Sequence, residues 1–303
     1  MEIIAGTTDF YLEKDTAVAI GKFDGVHLGH RRLLEEILNK KKNGLAACVF
    51  TFDPTPAVLF GLPDGKELTT REEKRRLFEH LGIDILIEFP LTKETAATEP
   101  ERFVTEILAK QMNTRFVAAG EDLSFGKNGA GNAELLEKMA PHLGFCVRTI
   151  EKIEVDGIEV SSTYIRKLVE EGRMEEAEKM LGMPYTLVGC VEHGNHIGHT
   201  LGFPTVNLLP PAGKLLPPNG VYYAVVRYNG KVYKAISNVG TKPTVSSEKV
   251  MGVESYLYDF AKDIYGQEIE VALKSFRRPE RRFGSLEELK KQLDRDIADG
   301  RNA

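Results

Sequence analysis

Residues 16–30 read T-A-V-A-I-G-K-F-D-G-V-H-L-G-H. The opening TAVAIG is a short apolar run that ends at a glycine, the pattern of a strand buried on both faces. Residues 30–42 (HRRLLEEILNKKK) then place Leu33, Leu34, Ile37 and Leu38 at helical spacing. Strand, tight turn and helix therefore follow one another within thirty residues. A turn of this kind, at the carboxyl end of a strand in an open α/β sheet, is where such sheets bind ligands.

Outward from this stretch the alternation continues. Residues 45–52 and 83–89 read as buried strands, 115–119 as another, and 71–81, 100–112 and 133–143 as helices. Gly82 stops the second helix, and Pro100 with Glu101 opens the third. The expectation is a parallel α/β sheet with right-handed crossovers. The pattern changes near Gly182-Met183-Pro184. Residues 185–192, 221–228, 231–238, 253–260 and 268–276 are β-rich, and Asn229-Gly230 is a hairpin signal. Closely spaced strands without helices predict an antiparallel barrel. A last helix is expected over 285–299, with Ser285 and Glu288 as a capping box. The predicted domains are 1–184 and 185–303.

A length of 303 residues suits two domains, each able to bury a core. Hydrophobic residues make up 42% and charged residues 28%, which argues against a disordered chain. Cys48, Cys146 and Cys190 are far apart, so a disulfide scaffold or cysteine-rich zinc site is excluded and reduced, buried thiols are expected. No apolar run approaches the ~20 residues of a membrane span. MEIIAGTTDF lacks a basic region followed by an apolar one, so a cytoplasmic location is expected. Residues 1–184 carry 24 Lys+Arg against 32 Asp+Glu, and residues 185–303 carry 16 against 13. Neither half has the basic excess of a nucleic-acid binder. The densest basic run, Arg277, Arg278, Arg281 and Arg282, reads as a solvated face. Nothing in the sequence sets an oligomeric state.

Four motifs carry chemistry. In the turn at 21–30, Gly21, Gly25 and Gly29 permit close backbone approach, and His27 and His30 stand about one turn apart at a helix start. Free amides and the positive helix end favour an anion there, and two imidazoles can stabilise charge developing on a phosphate. A metal site would need a third ligand that is not evident. Ser161, Ser162 and Thr163 open another helix with Arg166 one turn on, a set that either caps the helix or holds phosphates. Residues 120–126, G-E-D-L-S-F-G, follow a strand end at the same sheet edge. There Asp122 could bind a polar ring edge or a metal ion, and Phe125 could stack on a planar ligand. In residues 193–207, H-G-N-H-I-G-H-T-L-G-F-P-T-V-N, glycine-punctuated loops can wrap phosphates. Thr205 and Asn207 share one face as hard oxygen ligands suited to Mg²⁺. Glu254 offers a carboxylate near the barrel mouth that could deprotonate a hydroxyl.

GxFDGVHxGH, GEDxxFG and SSTxIR in this order resemble the nucleotidyltransferase domain of the bifunctional riboflavin kinase/FMN adenylyltransferase family. LGFPTVN is similar to the flavokinase signature, and PPNGVYYAVV, SNVGTKPTV, ESYLYDF, DIYG and FRRPERRF extend the likeness over nearly the whole chain. The resemblance implies a Rossmann-like α/β nucleotidyltransferase domain, then an antiparallel flavokinase-like β-barrel with a C-terminal helix. It implies ATP, riboflavin, FMN and FAD as small-molecule partners, Mg²⁺ carried with ATP, and no nucleic-acid or membrane partner. His27 and His30 would stabilise the adenylyl-transfer transition state. Gly21, Phe23, Asp24, Gly29, Ser162, Thr163 and Arg166 would contact nucleotide or phosphate. In the barrel, Gly202, Thr205 and Asn207 would bind Mg-ATP, and Glu254 would act as base. Asp122, Phe125, Arg278, Glu280 and Phe283 would border the flavin. The chain departs from the family pattern at His199, Lys242, Val245, Thr55 and Leu123.

Overall fold

Strands β1 (Glu2–Ala5), β2 (Thr16–Ile20), β3 (Ala46–Asp53), β4 (Ile85–Pro90), β5 (Thr114–Gly120) and β6 (Cys146–Ile150) form one sheet in the order β1-β4-β3-β2-β5-β6, with all pairs parallel. This arrangement comes from a computed structural model that describes residues 1–59, 61, 65–193, 203–243 and 249–301. Gly202, His199 and Val245 lie outside the described residues, as does the side chain of Lys242. Helices α1 (Leu28–Asn39), α2 (Pro56–Leu59), α3 (Arg71–Leu81), α4 (Lys93–Ala96), α5 (Pro100–Arg102) and α6 (Ala133–Leu143) fill the connections. A two-stranded ribbon, β7 (Glu154–Val155) and β8 (Ile158–Glu159), follows.

β2 is buried throughout, and its two faces serve different cores. Val18 and Ile20 join Cys48, Phe50 and Val117 on one side. Ala17 and Ala19, with Ala47 and Ala118, meet Leu33, Leu34 and Ile37 of α1 on the other. The small alanines let α1 lie close to the sheet, so the β2–α1 turn is short and tightly placed. The chain leaves β2 for β3 and β4 on one side and takes up β5 and β6 on the other. The turn at 21–27 thus sits at the topological switch point.

Several expectations change. The helix predicted over 100–112 is one α-turn followed by a π-helix over Phe103–Gln111. Met112 N donates to Ile107 O at 2.9 Å, and the Thr105 hydroxyl bonds back to Glu101 O at 3.0 Å, competing with the regular ladder. Only Cys48 is buried; Cys146 and Cys190, on β6 and on a barrel strand, are exposed.

The chain divides into compact units Met1–Ser162 and Thr163–Ala303. In the second, α7 (Ser162–Glu170, its first residue in the other unit) and α8 (Met174–Leu181) precede β9 (Tyr185–Glu192), β10 (Thr205–Leu208), β11 (Gly220–Tyr228), β12 (Lys231–Pro243), β13 (Lys249–Leu257) and β14 (Glu268–Pro279). The strands close into an antiparallel barrel in the order β10-β13-β12-β11-β14-β9. α8 packs on this barrel: Lys274 Nζ of β14 lies 2.6 and 2.7 Å from the Glu178 carboxylate. Asn229 and Gly230 take positive φ, 46° and 72°, as the two-residue hairpin requires. α9 (Leu286–Arg301) is the expected final helix. Ser285 Oγ caps Glu288 N at 3.2 Å, but the Glu288 carboxylate reaches back to Gly284 N, one residue beyond the Ser285 N of the expected box. No helix among the described residues is long and apolar enough to cross a membrane.

One buried ion pair fixes α3 to the sheet. Glu88 on β4, 3% exposed, accepts from Arg75 Nε and Nη2 at 2.9 and 2.6 Å and from Arg71 Nε at 2.8 Å. Burial pushes its carboxyl up, but the Arg75 and Arg71 guanidiniums outweigh that and hold it below the usual range. Replacing Glu88 by alanine removes the buried acceptor that Arg75 and Arg71 share and leaves them Glu72 and Asp53. We expect Glu88→Ala to destabilise the protein by about 2 kcal/mol in urea denaturation, the worth of hydrogen bonds to a charged group. A loss no larger than that of an exposed ion pair would show that Glu88 does not anchor α3.

Candidate active sites

His27 caps α1. Its φ and ψ are −67° and 175°, and its Nδ1 accepts from His30 N at 3.4 Å. With Nδ1 an acceptor, the ring proton belongs on Nε2. The His27 and His30 rings stack at 3.7 Å with 22° between planes, and Phe23 lies 5.1 Å from His30. Burial lowers His27 to about 4. Burial, then His27, then Lys74 hold His30 well below the ordinary value. Both imidazoles are neutral at pH 7. The His30 Nδ1 is buried with no hydrogen-bond partner among the described residues.

The turn is held from two sides. Asp24 Oδ1 accepts from Thr69 N at 3.1 Å, and Thr69 Oγ1 accepts from Gly25 N at 2.9 Å. Ser162 Oγ donates to Asp24 O at 2.8 Å, so the SSTxIR segment begins against the FDG turn. Phe23 and Val26 have positive φ of 52° and 42°. Such backbone at a β-branched residue costs about 1–3 kcal/mol and marks a turn held by its surroundings. A Cβ on Gly29 would stand 3.2 Å from the His27 ring, so glycine leaves the imidazole its place. Gly21 N bonds Phe50 O at 3.1 Å and starts the turn.

The loop after β5 differs from its reading. Asp122 is exposed, as a ligand contact requires. Phe125 is not available for stacking: it is 3% exposed and lies 5.1 Å from Phe103 in the core. Paired bonds between Phe125 and Gly131 (3.0 and 2.9 Å) fold the loop back and turn the ring inward. Leu123 packs against the same core.

In the barrel, strand register gathers the second set. Asn207 of β10 stands opposite Glu254 of β13, which stands opposite Asn238 of β12. Thr205 Oγ1 donates to Glu254 Oε1 at 2.6 Å. Ser237, Val239, Val253 and Ser255 are fully buried on the alternate side, which is the barrel interior. Glu254, on the opposite side of the strand, therefore points outward from the wall. Glu280 accepts from Asn238 Nδ2 at 2.9 Å and Asn219 Nδ2 at 3.3 Å, so it joins the same polar row. Arg278 does not stand free beside a flavin: Nη2 pairs with Asp296 of α9 at 2.6 Å. Arg277 pairs with Asp299, so half of the basic run docks the final helix instead of facing solvent. Phe283 lies under the Arg281 guanidinium at 4.7 Å and lines a cavity of about 340 Å³ with Arg282, Lys291 and Arg295.

Residues 11–164 match the FAD synthetase family and residues 181–303 the riboflavin kinase family. The bifunctional riboflavin kinase/FMN adenylyltransferase of Listeria monocytogenes is 36% identical over 298 residues, 97% of this chain and 94% of that one. The chain belongs to the bifunctional riboflavin kinase/FMN adenylyltransferase family. The Escherichia coli K12 member is 35% identical over 94% of this chain and 91% of its own. A solved structure named a macrolide-efflux protein, from Streptococcus pneumoniae, shares the fold at a TM-score of 0.87, with 28% identity over 99% of this chain and 98% of that one. The chemistry of the family is flavin cofactor synthesis, with riboflavin kinase and FAD synthetase activities in one chain.

Against this family, the sequence motifs left several residues unnoticed. Thr69 carries no motif, and only the fold brings it to Asp24. Asn238 was within reach: counting back from the Asn229-Gly230 hairpin puts Val221 opposite Asn238. Thr55, where the family pattern has histidine, is buried, and its carbonyl accepts from Leu59 N at 3.0 Å to start α2.

The depressed His27 value makes a stability prediction. Between about 4 and 6.5 the unfolded chain binds a proton that folded His27 refuses, so stability falls as pH is lowered through that window. The displacement corresponds to about 3 kcal/mol at full extent. The chain has no tryptophan, so denaturation is best followed by circular dichroism. We expect His27→Gln to flatten the decline between pH 6.5 and 4. Parallel declines in both proteins would contradict the assignment.

Proposed function

We propose that the first domain, residues 1–184, transfers the adenylyl group through His27 and His30, and that the second, 185–303, phosphorylates riboflavin with Glu254 as base. The observation that carries the reading is the stacked, neutral histidine pair at the start of α1, at the switch point of the parallel sheet. An FMN phosphate oxygen attacks the α-phosphorus of ATP. The bond from that phosphorus to the bridging oxygen breaks, and pyrophosphate leaves. Nε2–H of His27 and the His30 ring donate to the α-phosphate oxygens as charge grows there. The first-turn amides of α1, with Gly21, Phe23, Asp24 and Gly29 shaping the turn, add the positive end of the helix. Ser162, Thr163 and Arg166 hold the departing phosphates. Asp122 meets the flavin or nucleotide from the loop after β5.

In the barrel, Glu254 accepts the proton of the riboflavin 5′-hydroxyl while that oxygen attacks the γ-phosphorus, and ADP leaves. The Thr205 hydroxyl gives its proton to Glu254, which leaves its oxygen lone pairs for a cation. With the amide oxygen of Asn207 this makes a hard-oxygen donor set, and Mg²⁺ with ATP fits it. Bound there, Mg²⁺ would offset phosphate charge. Gly202 belongs to the loop that wraps the phosphates. Glu280 and Phe283 border the flavin, and Arg278 holds α9 against that border. The protein acts in the cytoplasm, where it meets ATP, riboflavin and FMN as free small molecules.

Separate variants separate the sites. His30→Ala should lower FAD formation from FMN by about 10²–10³-fold, as loss of an oxyanion donor does, and leave FMN formation intact. Glu254→Ala should lower FMN formation by about 10²–10⁴-fold and leave FAD formation from supplied FMN intact. Equal loss of both activities in either folded variant would rule out the two-site reading.

A further inference from the structure

The polar row of the barrel continues one strand past the carboxylate that takes the hydroxyl proton. Asn238 of β12 stands directly opposite Glu254 of β13, and neighbouring strands lie about 4.8 Å apart. Asn238 Nδ2 donates to Glu280 Oε1 at 2.9 Å, and Asn219 Nδ2 donates to Glu280 Oε2 at 3.3 Å. Each oxygen of the Glu280 carboxylate thus takes one amide and keeps lone pairs for another donor. Among the described residues its partners are these two amides and no cation. Gly240 lies two residues beyond Asn238, on the same face of β12. A Cβ at 240 would overlap Glu280 Oε1, so glycine leaves the carboxylate its place against the strand. Glu280 is exposed, yet two side chains and a glycine fix where it stands. Such anchoring adds little to packing, whereas a group that recognises a ligand has to be held by its neighbours.

We propose that Asn238 and Glu280 form the subsite that reads the secondary hydroxyls of the riboflavin ribityl chain. This rests on the reading of Glu254 as the base given above. β13 has a different neighbour on each side. β10 carries Thr205 and Asn207, the hard-oxygen pair for the cation and phosphates, and β12 carries Asn238. With the 5′-hydroxyl at Glu254, the phosphates lie on the β10 side and the rest of the ribityl chain runs over β12. The hydroxyls on the adjoining carbons then meet Asn238 and Glu280. A secondary hydroxyl donates one hydrogen bond and accepts others. It can give its proton to the Glu280 carboxylate and accept from the second Nδ2 proton of Asn238. A phosphate has the wrong sign for this place, since it would face the Glu280 charge.

The test compares riboflavin with a flavin that carries an ω-hydroxypentyl chain in place of ribityl. The analogue keeps the ring and the reacting hydroxyl and lacks the secondary hydroxyls. The quantity read is the ratio of kcat/KM for riboflavin to that for the analogue, measured as phosphorylation by the full chain with ATP and Mg²⁺. The wild type should favour riboflavin by about 10²-fold, because the analogue leaves held polar groups unpaired. Asn238→Ala and Glu280→Ala should each cut that preference by about tenfold, the worth of a hydrogen bond to a charged or anchored group. Gly240→Ala keeps both polar side chains but displaces Glu280, and should cut the preference as Glu280→Ala does. Circular dichroism checks that each variant is folded. A merely structural role, or contact with the flavin ring, would slow both substrates by the same factor and leave the ratio unchanged; that result overturns the proposal, as does a wild type without preference. If Asn238→Ala does not fold, Glu280→Ala decides alone. Glu254→Ala separates the two readings. Retained FMN formation in that variant removes the reading of Glu254 and this inference with it. Lost FMN formation, with the preference unchanged in the Asn238 and Glu280 variants, removes this inference only.

Discussion

Asp24 is the residue on which the first site hangs. Its side chain takes the Thr69 amide, its carbonyl takes the Ser162 hydroxyl, and the next amide, Gly25 N, reaches Thr69 Oγ1. Three segments far apart in sequence are thereby tied to one turn. The turn needs the tie, because Phe23 and Val26 hold backbone angles that an unsupported chain would abandon. Once it is held, His27 is the N-cap of α1 and stacks on His30. The dry surroundings that suppress protonation of both rings follow from the same packing. Neutral imidazoles at a helix start combine donor groups with a positive helix end, and neither histidine carries formal charge.

The polar row of the barrel is built by strand register. Closing six antiparallel strands sets Asn207, Glu254 and Asn238 side by side, and Thr205 two residues from Asn207 completes the group. The interior is filled by Ser237, Val239, Val253 and Ser255, so this polar row faces outward. α9 lies on the same outer face. Ile297 packs against the cluster of Val221, Ile236 and Tyr258, and Arg278 is clamped by Asp296. The FRRPERRF segment is therefore divided in its work: Arg277 and Arg278 fasten α9, while Glu280 joins the polar row.

Much of the fold was legible because its signals are local. Helices 71–81 and 133–143 and strand 185–192 keep the expected limits, since caps, glycine stops and periodicity all lie within the segment. β1 and β6 were not read from sequence: one is four residues long, both are edge strands, and neither is a continuous buried run. The π-helix over 103–111 depends on how carbonyls are shared, which composition does not encode. Site residues divide the same way. His27, His30, Thr205, Asn207 and Glu254 sit in motifs. Thr69 acts across the fold, and no spacing in the chain announces it. Phe125 shows the converse error, an aromatic in a ligand-like motif that the Phe125–Gly131 pairing turns into core.

One chain carries both reactions of flavin cofactor synthesis. The most direct measurement is a time course in which the purified protein is incubated with riboflavin, excess ATP and Mg²⁺, and riboflavin, FMN and FAD are separated by chromatography. The account predicts that FMN appears first and FAD accumulates at its expense. Riboflavin left unchanged, together with no FAD when FMN is supplied directly, would contradict it.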